Sequence, residues 1–175
     1  MKQNKTLRNV IRSALFLALA YVLPFLTAGI PEFGSMLCPM HLPVLLCGFL
    51  CGWPWGLAVG AIAPLFRSLT LGMPVLFPKA VCMALELAAY GAAAGIFYKL
   101  LPRRRISTYV ALLIAMVAGR LVYGAAMLVC LGIQGKGYAL SAFLASTVTG
   151  AIPGIVLQIL LIPIIVELYA RREKD

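Results

Sequence analysis

Long runs of apolar residues make up most of this chain, and glycine, proline and short charged stretches separate one run from the next. A helix that crosses a bilayer needs about 20 mostly apolar residues, so these runs predict membrane-spanning helices. We predict a single all-α domain over residues 1–175, an integral membrane bundle of six transmembrane helices. Their predicted bounds are 11–29, 40–53, 55–71, 77–99, 107–131 and 140–169.

The composition supports a membrane protein. Hydrophobic residues are 63% of the chain and charged residues 11%, with a mean hydropathy of +1.01, whereas about 25% of the residues in a soluble domain are charged. The net charge of +10 does not indicate nucleic-acid binding, because eleven of the fifteen basic residues flank the apolar runs, as topology determinants do. We therefore predict a lipid bilayer as the environment and no nucleic-acid partner.

Three basic clusters indicate the orientation of the helices. They lie in the N-terminal segment, at 99–105 and at 171–174. With six spans, all three clusters fall on the same side of the membrane, and the positive-inside rule makes that side cytoplasmic. We predict that the N and C termini are both cytoplasmic.

Four basic residues lie outside these clusters, inside or next to apolar runs: Arg67, Lys79, Arg120 and Lys136. A cation at bilayer depth costs roughly 2.5–3.5 kcal/mol on insertion scales, so it must face protein, water or a ligand. In the predicted topology all four fall in the outer half of the protein. The pattern predicts an outer site for a ligand that is anionic or rich in hydrogen-bond acceptors.

Helical spacing places other polar side chains beside these cations. Lys79, Glu86 and Tyr90 are separated by seven and four residues, so they share one face of the fourth helix. Arg120 and Tyr123 stand one turn apart on the fifth. We predict a polar cavity between helices three to six. The predicted substrate-binding residues are Arg67, Lys79, Glu86, Tyr90, Arg120, Tyr123, Gln158 and His41.

Structural roles are open for some of these residues. Glu86 either neutralises Arg67 or Arg120 in a buried pair or contacts the ligand, and the two roles can coexist. Lys79 lies near the predicted interface, where a lysine can snorkel. His41 has a proline two residues away on each side and fits a loop anchor better than a ligand-binding group.

The sequence contains few features that are typical of an enzyme. It contains no G-x-S-x-G with a usable base, no H-E-x-x-H and no P-loop. One histidine without a Cys/His/Asp cluster gives no case for a metal. The five cysteines are odd in number and lie mostly in apolar runs, as is typical of membrane helices rather than of a disulfide framework. We predict no catalytic residues, no metal and no cofactor.

Small residues spaced i, i+4 let helices approach closely in lipid, and three such pairs are present. For the glycine pairs we favour packing inside the bundle. The pairs are Ala14 with Ala18, Gly56 with Gly60, and Gly91 with Gly95.

Several segments resemble a known family. They are Ala14-Leu-Phe-Leu-Ala18, the run from His41-Leu-Pro-Val through Gly56-Leu-Ala-Val-Gly60, Pro64-Leu-Phe-Arg-Ser68 to Gly72-Met-Pro74, and Pro78 to Glu86-Leu-Ala-Ala-Tyr-Gly91. The likeness is to the substrate-binding membrane subunits, or S components, of energy-coupling-factor (ECF) vitamin transporters. It covers essentially the whole chain, including its length and its six predicted helices.

This resemblance implies a high-affinity vitamin binder in the bacterial cell membrane. The family's pocket lies near the extracellular side, under the loop between helices one and two. The resemblance also implies partners: a transmembrane scaffold subunit, which Ala14 and Ala18 would contact, and two cytoplasmic ATPase subunits, which would hydrolyse the ATP. In that family the subunit topples in the membrane with its ligand.

The excess of outer cations favours a carboxylate-bearing ligand, because Arg and Lys hold carboxylates by charge-assisted hydrogen bonds. Pantothenate is the first candidate and folate the second, and a queuosine precursor stays open because Glu86 can accept from amino groups. Two other functions are kept as alternatives. One is a solitary ion-coupled secondary transporter of a small anionic metabolite, and the other is a membrane-embedded enzyme, which the missing nucleophile and base disfavour.

Overall fold

The computed structural model describes residues 5–27, 38–102, 105–135 and 152–172. Within these ranges 91% of the residues are helical and none forms a strand, which confirms the predicted all-α class. Six α-helices follow one another, with an irregular π-type turn at Leu76–Ala80 before the fourth. The helices are α1 (Lys5–Thr27), α2 (His41–Cys51), α3 (Trp53–Leu71), α4 (Val81–Leu100), α5 (Arg105–Ile133) and α6 (Ile152–Arg172).

The observed bounds of two helices differ from the predicted ones. The first helix begins at Lys5 rather than at residue 11, because lysine and arginine continue a helix well and only hydropathy stops at them. Conversely, α4 begins at Val81 rather than at 77, since Phe77 has extended backbone angles (φ −124°, ψ 131°). Lys79 therefore lies in the turn before the helix. Residues 140–151, the predicted start of the sixth helix, lie outside the described ranges.

Four segments among the described residues are long and apolar enough to cross a membrane: Lys5–Phe25, Leu76–Leu100, Ile106–Ile133 and Ile152–Arg171. By contrast, α2 has 11 residues and extends only about 16 Å, roughly half of the ~30 Å hydrocarbon core. The chain is thus a multi-pass membrane protein. Six crossings and cytoplasmic termini remain predictions.

A single residue, Gly52, joins α2 to α3. Its φ of 97° is in the region that residues with a side chain avoid. The chain then enters α3 through Trp53 and Pro54, and proline suits this position because it has no N–H and a first-turn N–H would find no acceptor within the helix. The connection folds α2 back along α3, so that a Cβ added at Gly56 would lie 2.7 Å from the Cα of Gly48. The two helices form a tight antiparallel hairpin.

The hairpin packs on α4 through glycine. A Cβ added at Gly48 or Gly56 would meet the carbonyl oxygen of Gly91, and one added at Gly95 would meet the backbone of Trp53. Because the neighbour is backbone in each case, a side chain has no space there. The prediction that the glycine pairs pack inside the bundle is confirmed.

The remaining helices surround this centre. Helix α4 packs against α2, α3 and α5, α1 packs against the α2–α3 hairpin, and α6 packs against α2 and α5. Arg12 of α1 also lies over the ring of Tyr169 in α6, 5.0 Å from its centroid. The core contains Leu45, Leu87 and Leu112, none of which is exposed. The arrangement places one face of α4 opposite both α5 and the first residues of α2.

Candidate functional site

A buried ion pair joins α4 to α5. Nη1 of Arg120 donates to Oε1 of Glu86 at 2.8 Å, and the two side chains are 22% and 2% exposed. Arg120 lies near the middle of α5, far from either membrane interface, so a partner of opposite charge offsets part of the cost of its burial. Of the two partners considered for Glu86, the structure selects Arg120.

His41 lies beside this pair. It is the first residue of α2 and is 4% exposed, so the start of this short helix lies inside the bundle and not in a surface loop. Its Nε2 is 3.6 Å from Oε1 of Glu86, slightly beyond hydrogen-bonding range. Within the described residues neither ring nitrogen of His41 has a hydrogen-bond partner. A buried imidazole in this state needs a ligand or water to satisfy it.

Arg120 also retains hydrogen-bonding capacity. Its Nε is buried and has no hydrogen-bond partner among the described residues, and its Nη2 reaches only the sulfur of Cys38, at 4.0 Å. Burial raises the pKa of the Cys38 thiol, although the nearby guanidinium acts in the opposite direction. Cys38 therefore stays protonated at neutral pH and leaves the charge of Arg120 to Glu86. Nothing in the sequence pattern indicated Cys38, because its contact depends on how the chain enters α2.

Tyr90 forms the aromatic wall of the cluster. It is 1% exposed, and its ring meets that of His41 edge-on with 5.1 Å between centroids. On its other side the ring lies against Gly119 of α5, where an added Cβ would be 2.5 Å from Cδ2 of Tyr90. Gly119, which sequence reasoning missed, makes room for the tyrosine directly beside Arg120. A glycine next to an intramembrane arginine is the signal that could have indicated it.

Two further predicted residues lie on helices that border the cluster. Gln158 of α6 is 2% exposed, and α6 packs against both α2 and α5. Tyr123 is half-buried and follows Arg120 by three residues on α5, on the same side of the helix.

The structure does not bring all of the predicted substrate-binding residues together. Nη1 of Arg67 donates to the carbonyl oxygen of Tyr21 at 2.9 Å, and its Cζ lies 4.9 Å from the centroid of the Phe25 ring. Among the described residues Arg67 thus contacts α1 rather than Glu86, and its predicted place in the ligand site stays a prediction. Lys79 is exposed. Lys136 and the predicted loop cap at 30–38, apart from Cys38, lie outside the described residues.

The cluster therefore combines a carboxylate, a guanidinium and an imidazole, and hydrogen-bonding groups of Arg120 and His41 have no partner among the described residues. Within the described part of the chain, no group of three His, Cys, Asp or Glu side chains is arranged to hold a metal. The arrangement suits recognition of a polar ligand by hydrogen bonds.

The outward face of α1 is a second feature of the site region. Ala14 and Ala18 are exposed, as are Ile11 (62%) and Leu15 (58%). Ser13, one position away, is buried and accepts a hydrogen bond from the thiol of Cys47 at 3.7 Å. The small pair of α1 therefore faces away from the bundle, unlike the glycine pairs.

Comparison with protein-family models matches residues 8–166 to the model described as "ECF transporter, substrate-specific component". Searches of curated proteins and of solved structures returned no match. The matched range includes all of the cluster described above as well as Ala14 and Ala18.

Proposed function

Because this chain belongs to the family of ECF transporter substrate-specific components, we propose that it is the high-affinity binding subunit of an ATP-driven importer for a water-soluble vitamin or related micronutrient. The family is a transport component rather than an enzyme. One observation carries the proposal: the buried cluster of His41, Glu86 and Arg120, whose hydrogen-bonding groups are only partly satisfied within the described residues. Such groups persist where a ligand completes them.

We place the protein in the bacterial cell membrane with six crossings and cytoplasmic termini, as the basic flanks indicate. The proposed partners are a transmembrane scaffold subunit and two cytoplasmic ATPase subunits, which hydrolyse the ATP, so the chain itself needs no cofactor. Ala14 and Ala18 form the proposed docking surface. Their exposure on α1 supports this role, because a small-residue pair that faces outward lets another helix approach closely.

For the ligand, we propose a molecule with a carboxylate or another strong acceptor. The Nε and Nη2 of Arg120 and a ring N–H of His41 are the donors available to it, and charge-assisted bonds from arginine to a carboxylate are strong. Pantothenate is the first candidate and folate the second. A queuosine precursor is the third, since the carboxylate of Glu86 can accept from ring or amino N–H groups.

The proposed contact residues follow from position. His41, Glu86, Tyr90 and Arg120 form the centre, and Tyr123 and Gln158 border it. Arg67 and Lys79 are left out of the proposed set because one is bonded to α1 and the other is exposed.

A thermal-shift screen of the detergent-purified chain tests the proposal. The panel contains pantothenate, folate, riboflavin, thiamine, biotin and queuosine precursors. A ligand that binds only the folded state stabilises it by about 4 kcal/mol at a thousandfold excess over its dissociation constant, so one compound should raise the melting temperature clearly. A folded protein that responds to none of them, and that drives uptake without ATPase partners, would indicate the secondary transporter instead.

The Arg120→Ala variant then tests the site with the compound that binds. We expect binding to weaken by about 2 kcal/mol, roughly thirtyfold. The matched control is Arg171→Ala, because Arg171 is exposed and pairs one turn away with Glu167 at 3.5 Å. Unchanged affinity in Arg120→Ala with a lowered melting temperature would assign Arg120 a structural role alone.

A further inference from the structure

Two buried thiols face each other across α4 and α5. Cys82 lies in the first turn of α4 and Cys130 near the end of α5, and their sulfur atoms are 3.6 Å apart. Cys82 is fully buried and Cys130 is 8% exposed, and both are free cysteines. The contact therefore brings together two redox-active groups that are 48 positions apart in sequence.

The charges at the other ends of these helices indicate the compartment that the thiols face. Lys99 is in the last turn of α4 and Arg105 begins α5, so the basic loop and the cysteine pair are at opposite ends of the same helix pair. If the basic end is cytoplasmic, as the positive-inside rule requires, the thiols lie toward the outer face. Disulfides form and persist on that side of a bacterial membrane.

We propose that Cys82 and Cys130 form a reversible disulfide that ties the outer ends of α4 and α5 together. Cys82 precedes Glu86 by one helical turn, so the bond would fix α4 against α5 immediately beside the Glu86–Arg120 pair. The consequence for ligand exchange rests on the proposed function, whereas formation of the bond does not.

A low-molecular-weight disulfide is the oxidant. The thiolate of Cys130, the more accessible of the two, attacks one sulfur of that disulfide, and a small thiolate leaves with the electron pair of the broken S–S bond. The thiolate of Cys82 then attacks the sulfur of Cys130 and displaces the second small thiolate. The two protein thiols lose two electrons and two protons, and the oxidant becomes two small thiols.

The chain carries its own control pair. Cys47 and Cys51 lie one turn apart on α2, and the carbonyl oxygen of Cys51 accepts from Nδ2 of Asn9 near the start of α1 at 3.3 Å. This places the second pair toward the end of the bundle that bears the basic N-terminal segment. We expect these thiols to stay reduced under the same conditions.

The test treats the full chain in sealed right-side-out membrane vesicles with oxidised glutathione, which does not cross membranes, and maps disulfides by non-reducing proteolysis and mass spectrometry. We expect a peptide that links Cys82 to Cys130, with Cys47 and Cys51 alkylatable as free thiols. A link from Cys38 to either partner, a stable glutathione adduct, or an unoxidised pair would each overturn the proposal.

Thermal stability provides a readout that does not depend on peptide mapping. Oxidation should raise the melting temperature of the purified chain, because a cross-link constrains the unfolded state, and dithiothreitol should reverse the change. Cys130→Ser should abolish the shift, and Cys51→Ser should retain it. An oxidation-dependent shift that survives in Cys130→Ser would refute the assigned bond.

Discussion

Two faces of α4 make contrasting contacts with the neighbouring helices. From Gly91 to Gly95 the helix meets α2 and α3 backbone to backbone, and no side chain separates them. On another face of the helix, Glu86 and Tyr90 point toward α5 and α2 as buried polar side chains. The first contact has no freedom to rearrange, whereas the second has hydrogen-bonding groups to spare. A rigid contact beside the cluster would hold the proposed binding site in a preorganised geometry, which lowers the cost of ordering it on binding.

The largest effect should come from filling the glycine contact. In Gly91→Ala the new Cβ would overlap the backbone of Gly56, and we expect the loss of stability to exceed the usual overpacking cost of about 1–3 kcal/mol, because backbone cannot turn aside. Gly132→Ala is the matched control, since an added Cβ there meets nothing within 4 Å. Thermal unfolding of both variants checks the difference; equal stability would show that α3 and α4 do not depend on this contact.

Breaking the ion pair should have the next largest effect. Glu86→Ala leaves the guanidinium of Arg120 largely buried without its counter-ion, and we expect a loss of about 3 kcal/mol in stability. Glu86→Gln keeps an acceptor at the same position and should lose less. If the alanine variant melts like the wild type, the Glu86–Arg120 pair does not stabilise the fold. The two faces of α4 would then differ more in their contribution to stability than we expect.

Gly119 lies at the boundary between packing and recognition. Gly119→Ala should push the Tyr90 ring away from α5, at a cost of about 1–2 kcal/mol, because a side chain can move where backbone cannot. Tyr90→Phe is the companion variant and should leave packing intact. Near-ultraviolet circular dichroism, which reports on tyrosine packing, should change in Gly119→Ala and not in Gly132→Ala.

The smallest effect on stability should come from the outward face of α1. Ala14→Trp and Ala18→Trp add bulk where the bundle has no contact, so we expect stability to change by less than about 0.5 kcal/mol. ATP-driven uptake should nevertheless be lost, because a tryptophan blocks close approach of a partner helix. Leu168→Trp, at an exposed position of α6, is the control. Loss of ligand binding in Ala14→Trp would assign this face to the fold.

Sequence reasoning predicted the features that spacing alone determines. Helices, the glycine pairs and the shared face of Glu86 and Tyr90 follow from periodicity and from the cost of burying charge in lipid. Arg67 is a residue whose surroundings could not be predicted from the sequence. A membrane helix is apolar on all sides, so hydrophobicity does not indicate which side of α3 faces the bundle centre, and only packing reveals that Arg67 faces α1.

The position of His41 could not be read from its neighbours. The flanking prolines favoured a loop anchor, whereas His41 is the buried first residue of α2, an 11-residue helix whose other end is held by the connection at Gly52. The helix is slightly shorter than the predicted range of 40–53, and its first residue lies inside the bundle beside Glu86 and Tyr90.

Because only Gly52 separates α2 from α3, the two helices are held together as one hairpin. The hairpin is held on α4 through Gly48, and His41 lies about 10 Å from Gly48 along α2. Because this contact cannot rearrange, it fixes the position of the imidazole relative to Glu86. If His41 contacts the ligand as proposed, the shape of the site is set by glycine packing two helical turns away.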